Sequence, residues 1–232
     1  MRNRRIKGAL AAAAMGAATA LAPSTCLAYH ESQWLSFEGS DGTFLSSQAF
    51  WAGREDNPEW FAESGTMYRR SSTGWTNSST FRMWTRRKDL AFTTTEMDIR
   101  FNGWAGGGRD WHGINLWLNR KLRNGRVSDY PRDEGYAVDF LNRDGHMYIM
   151  KKLGEAYYIL SKRTWTPRAG RWYRWGGRVF NNGSTTTIQI LLDGQVVQEV
   201  TDYGKQLYGG RVGLRGDYSS FNVDNLTIRP SR

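Results

Sequence analysis

From residue 29 onward, apolar side chains recur at every second position inside short runs, and the runs end in Gly, Asn or Asp. That period marks β-strands, because successive side chains of an extended chain point to opposite faces, and the 3.6-residue period of an amphipathic helix is nearly absent. The runs predict strands over 34–38, 79–86, 91–101, 113–119, 135–142, 146–152, 157–161, 171–180, 184–192, 196–201, 211–216 and 221–228. Arg143-Asp144-Gly145, Asn181-Asn182-Gly183 and Leu192-Asp193-Gly194 fall between runs, and each supplies residues that tolerate the positive φ of a tight reversal. A dozen strands at this spacing predict an all-β fold, a two-sheet antiparallel sandwich. No linker rich in Pro, Ser or charge divides the pattern, so a single domain over residues 29–232 is expected.

The first 28 residues read differently. Arg2, Arg4, Arg5 and Lys7 precede an Ala-rich apolar run from Gly8 to Leu21, and the small-residue site Cys26-Leu27-Ala28 precedes Tyr29. This order predicts a secretory signal peptide cut after Ala28, and hence a secreted, extracellular protein. The cut removes Cys26, the only cysteine, and with it disulfides, thiol nucleophiles and zinc–thiolate sites. No later apolar run reaches the roughly eighteen residues of a membrane span. Of the net charge of +10, four units leave with the leader, and the basic excess that remains suits an anionic or sugar-rich polymer outside the cell. Nucleic acid is not the expected partner in that compartment.

Composition changes the picture at one point: 11 Trp, 11 Tyr and 10 Phe make 14% of the chain aromatic. Alternation assigns some of these rings to faces. Over 92–101, Met97, Ile99 and Phe101 share one face while Glu96, Asp98 and Arg100 share the other. Over 79–86, Phe81 and Met83 oppose Arg82, Trp84 and Arg86; over 113–119, Ile114, Leu116 and Leu118 oppose Asn115 and Trp117. Over 135–142, Tyr136, Val138 and Phe140 oppose Asp139. The apolar sets build the core. The opposing sets leave Trp84 and Trp117 outside it among Arg82, Arg86, Asn115 and Asp139, which predicts an open aromatic face for a ligand. Trp172 and Trp175 do not share a face, so at least one of them belongs to the core.

The stretches DWHGINLWL (110–118), GYAVDFLNRDG (135–145) and GRVGLRGDYSSFNVDNLTI (210–228) resemble the concanavalin A-like lectin/glucanase superfamily, in particular its laminin-G-like and related bacterial secreted members. The resemblance runs from about residue 33 onward. It implies a jelly roll of two curved sheets with ligands across the concave sheet or at its rim. It does not choose among lectins, glycoside hydrolases, polysaccharide lyases and adhesion modules, which share the fold. Many members hold a structural Ca²⁺ on the convex side, and Glu38 and Asp224 match the places of its ligands.

Three chemistries follow. The glucanase branch carries E-x-D-x-E or E-x-D-x-x-E on one strand; here Glu96, Asp98 and Arg100 stand in that stretch, with arginine where the second glutamate belongs. Glu96 and Asp98 lie roughly 6.5–7 Å apart by strand rise, so a retaining pair, which needs about 5–5.5 Å between carboxyls, remains geometrically open. A charged strand that neutralises itself is the alternative. A lyase of an acidic polysaccharide would use Arg82, Arg86, Arg100 and Asn115 against the uronate carboxyl and His112 or Tyr136 as base. His112, however, begins a strand and Tyr136 shares a face with core residues. Binding without cleavage needs Arg82, Trp84, Arg86, Arg100, Asn115, Trp117 and Asp139 on the sheet that meets the sugar. The expectation is therefore a secreted, monomeric jelly roll that engages an extracellular polysaccharide, an anionic one included, on its concave sheet, without an organic cofactor. Cleavage of that polysaccharide and laminin-G-like protein adhesion are the alternatives. The loops over 102–110 and 119–134 are expected to shape a rim.

Overall fold

The computed structural model describes residues 33–35, 60–64, 68–70, 73–85, 90–107, 109, 112–121 and 134–231, with the backbone alone for most strand residues before Met83. The expected leader, Glu38, Arg86 and the Arg82 side chain lie outside what is described.

The described residues form thirteen strands and no helix. They are β1 (Gln33–Leu35), β2 (Trp60–Ser64), β3 (Tyr68–Arg70), β4 (Thr73–Thr85), β5 (Thr93–Trp104), β6 (Gly113–Lys121) and β7 (Glu134–Asn142). After them come β8 (His146–Leu153), β9 (Ala156–Thr164), β10 (Trp172–Asn182), β11 (Thr185–Leu192), β12 (Gln195–Asp202) and β13 (Arg211–Pro230). The hydrogen-bonded order is β12-β11-β10-β5-β13-β6-β7-β8-β9, with β4 also against β13, β1 against β13, and β2 and β3 against β4. Each of these pairs is antiparallel.

The path folds over on itself because β13 serves two layers. Its first part pairs with β6 (Gly216 opposite Ile114), and its later part pairs with β5 (Ser219 opposite Trp104), while β4 follows it along the other edge. The change of partner falls at Tyr218, which takes a φ of +48°. The sequence pattern predicts two strands here, 211–216 and 221–228, because alternation lapses between them. The lapse marks an exchange of partner within one strand of 20 residues. β2 and β3 were not predicted at all, and β4 begins six residues before the predicted run at 79.

Between the layers sits one apolar core. Ile114, Leu116, Leu118, Tyr136, Val138 and Phe140 come from β6 and β7, and Met97, Ile99, Tyr173, Trp175, Ile188 and Ile190 come from β5, β10 and β11. The faces are those the alternation predicts, and Trp175 is the buried member of its pair while Trp172 is 37% exposed. Contact across the layers is close: the Phe140 ring lies 5.5 Å from Trp175 and 5.7 Å from Tyr173. A Cβ on Gly177 of β10 would come within 2.7 Å of Leu118 and Val138, so the glycine sets how near the layers approach. The β11–β12 reversal uses Asp193 and Gly194, both at positive φ, as a two-residue hairpin turn demands.

Candidate functional site

On the outer face of the β6–β9 layer, two cross-strand rows build the site. The first runs from Trp84 through Gly213, Trp117, Ala137 and Met150 to Ile159. The second runs from Arg82 through Arg215 and Asn115 to Asp139. Trp84 and Trp117 therefore share a face opposite the main core, as expected, and with Ala137 form a small apolar cluster of their own.

The expectation that these rings lie open is corrected. Trp84 is 2% and Trp117 1% exposed. Gly213 stands between them in register, and a Cβ there would meet the Trp84 ring at 2.0 Å, so the missing side chain lets that ring lie across the strand. The Arg120 guanidinium then covers both rings, 3.8 Å from the Trp117 centroid and 5.0 Å from that of Trp84. Arg120 escapes a two-residue alternation because Asn119 takes a φ of +51° and the β6–β7 register slips between Leu118 and Lys121.

Beside this closed cluster lies an open depression of about 410 Å³, lined by Asn115, Trp117, Met150, Tyr157, Ile159, Arg215 and Asp217. Tyr157 and Ile159 of β9 are exposed, and the Tyr157 ring meets Trp117 edge-on at 6.3 Å. Arg215 Nη2 pairs with Asp217 Oδ2 at 2.7 Å, with both side chains largely buried. Asn115 Oδ1, Trp117 Nε1 and Asp139 Oδ1 are buried without a hydrogen-bond partner in the described structure. Burial pushes the Asp139 carboxyl up to about 7, although the Asn142 and Asn115 amides and the Arg215 guanidinium all favour its charged form. Asn142 Nδ2 donates to Asp139 Oδ2. Tyr157, Ile159, Arg215 and Asp217 were not among the sequence-derived candidates. Their signal was the aromatic run of 157–161 and the alternation of 211–217, which could not be joined to Asn115 without the strand order.

Arg100 is also corrected: it belongs to the outer face of the other layer, where its Nη2 donates to Asn222 Oδ1 at 3.1 Å and its guanidinium lies 5.0 Å from the Trp172 ring centroid. Glu96 and Asp98 accompany it. Glu96 is paired with Arg229, while Asp98 accepts from Arg174 Nη1 at 3.3 Å and from Asn225 Nδ2 at 2.7 Å. Of the bases considered, Tyr136 lies inside the sandwich and donates to Asp202 Oδ2 at 2.8 Å, and burial pushes its hydroxyl pKa up. Burial alone would raise the Asp202 carboxyl, but bonds from Lys151, Gly204 and Tyr136 hold it below its ordinary value. His112 stands at the head of β6, stacked on Tyr218 at 4.8 Å, and its Nδ1 accepts from the Arg109 N–H at 2.8 Å. Burial lowers its pKa, and Asp217 opposes that shift.

Of the two expected calcium ligands, Asp224 alone is described; its Oδ1 accepts the Asn225 N–H at 2.8 Å. Among the described residues no three His, Cys, Asp or Glu side chains gather as a metal site. One carboxylate falls short of the six to eight oxygens calcium takes, so the described residues do not by themselves fit the ion.

No family model and no curated protein matches the chain. Solved structures do. The carbohydrate-binding module CBM66 from Bacillus subtilis is similar at 15% identity and a TM-score of 0.55, over 73% of this chain and 94% of that one. The Ca²⁺-bound exoplasmic/lumenal domain of VIP36 is similar at 15% identity and 0.54, over 82% and 90%. A β-glucanase from Bacillus licheniformis is similar at 10% identity and 0.53, over 87% and 98%. At such identities the likeness is one of architecture, and the protein has the concanavalin A-like jelly-roll fold.

Proposed function

We propose that the protein is secreted, with an export leader over residues 1–28 and one domain over 29–232, and that it binds a polysaccharide in the depression beside Trp117. The observation that carries this reading is the depression's lining. It sets the exposed Tyr157 ring and the apolar Met150 and Ile159 against the polar Asn115, Arg215 and Asp217. A sugar ring has the matching character, with C–H faces that stack on aromatic and aliphatic side chains and hydroxyls that exchange hydrogen bonds at its edge. On the scale of an aromatic pair, a contact of this kind contributes ~0.5–1.5 kcal/mol. The names of two structural neighbours, a carbohydrate-binding module and a glucanase, support the same reading.

The test is retention of the purified protein on a panel of immobilised polysaccharides, comparing Tyr157→Ala with Trp172→Ala on the opposite layer. Tyr157→Ala is expected to be retained less than wild type with an unchanged melting temperature, and Trp172→Ala to be retained as wild type is. Equal retention by the two variants removes the depression as the site. Recovery from the culture medium of a chain beginning at Tyr29 supports the export leader, and an intact N-terminus on secreted protein refutes it. We also propose the structural calcium at Glu38 and Asp224; EDTA should then lower the melting temperature and Ca²⁺ restore it, and no change in either direction removes the ion.

A further inference from the structure

A sugar in this depression is either neutral or acidic, and the depression's own chemistry bears on that choice. We infer, on the reading that this depression is the glycan site, that its ligand is a neutral sugar held by hydroxyl groups, and that the Arg215–Asp217 pair is what excludes uronates. A basic protein would suggest the opposite, but net charge is not the charge of the site. Arg215, the described cation in the lining, is already bonded to Asp217 at 2.7 Å, and the two side chains are 12% and 6% exposed. A uronate carboxylate entering here would have to displace Asp217 from the guanidinium while lying next to it.

A hydroxyl faces no such conflict. It both donates and accepts, so it can bond the two members of an ion pair without separating them. The groups that lack partners point the same way. Asn115 is 6% exposed, lines the depression, and its Oδ1 has no donor; Trp117 Nε1, in the same lining, has no acceptor. An unmet acceptor and an unmet donor side by side call for a group that both gives and takes a hydrogen bond, which a hydroxyl does and a carboxylate does not. The terminal torsion of an asparagine is broad, so a small turn of the Asn115 amide brings its oxygen to an arriving hydroxyl.

The experiment compares oligosaccharides of a neutral β-glucan and a neutral mannan with those of polygalacturonate and alginate, by calorimetry on the full mature chain, at 0.05 and 0.5 M NaCl. Wild type should bind a neutral oligosaccharide at least ten-fold more tightly than any uronate, with an affinity that salt leaves unchanged. Asp217→Asn, which keeps the shape and releases Arg215, should weaken the neutral ligand and gain several-fold affinity for uronates, in a form that high salt abolishes. Wild-type preference for a uronate, or a neutral affinity that falls steeply with salt, overturns the inference while leaving the glycan site standing. So does an Asp217→Asn protein that is folded yet gains no uronate affinity. Absence of binding to all four ligands removes the site and the inference together. If Asp217→Asn does not fold, the wild-type preference and its salt dependence decide alone.

Discussion

The two outer faces of the sandwich are written in the same alphabet and come to different ends. Each alternates with core residues, and each carries arginines, carboxylates, asparagine and tryptophan. On the β5–β10 side most groups answer one another: Glu96 pairs with Arg229, Asp98 with Arg174 and Asn225, and Arg100 with Asn222, leaving Arg100 Nε over, while Trp172 stays 37% exposed. On the β6–β9 side the tryptophans are closed in under Arg120, and Asn115 Oδ1, Trp117 Nε1 and Asp139 Oδ1 are left unmet beside an open depression. What separates a self-satisfied face from a receptive one is the set of neighbours across the strands, because an unmet buried polar group carries a desolvation cost that a ligand can relieve.

The largest effect that would break this contrast is on stability. Trp117→Ala empties a site that is 1% exposed and should cost ~3–5 kcal/mol in urea unfolding, whereas Trp172→Ala should stay within about 0.5 kcal/mol, as surface changes do. Equal losses would mean that the two tryptophans are packed alike. Next comes pH. Because burial raises the Asp139 carboxyl from 3.8 to about 7, the folded state holds more protons than the unfolded chain between those values. Stability from this group is thus greatest at low pH and declines as pH rises toward 7, with a slope on the order of 1 kcal/mol per unit. Asp139→Asn should flatten that slope in melting temperatures taken from pH 4.5 to 8, and an unaltered slope would deny the carboxyl its buried, protonated state.

Smaller still is the contribution of the exposed ring at the mouth of the depression. Tyr157→Ala should weaken a bound oligosaccharide by ~0.5–1.5 kcal/mol, roughly two- to ten-fold. The smallest effect belongs to the opposite face. Glu96→Gln breaks a pair whose arginine is 48% exposed, and should cost ~0–1 kcal/mol with glycan affinity untouched. A loss of glycan affinity there would move the site to the wrong layer.

Much of the architecture was legible in the chain. Two-residue alternation found the core faces of β5, β6 and β7, and Asp193-Gly194 sits at positive φ where its turn was expected. What alternation could not give was the identity of lateral neighbours. Alternation alone groups Arg100 with Trp84 and Trp117, because all three oppose core residues, yet its strand lies in the other layer, a fact held in the order of strands rather than in any one of them. Gly213 could not be seen to make room for Trp84, since a glycine's lack of a side chain has meaning only against what crosses it. Arg120 was hidden by a register slip that turns a loop-bound residue back over the face.

The strand Arg211–Pro230 carries a consequence for how the molecule comes into being. Its partners are β1, β4, β5 and β6, all made before it, and it lies at the centre of both layers. A growing polypeptide therefore lacks the keystone of each layer until the twelve other described strands have emerged, and such distant pairings close slowly. One late insertion of this strand then locks both layers together.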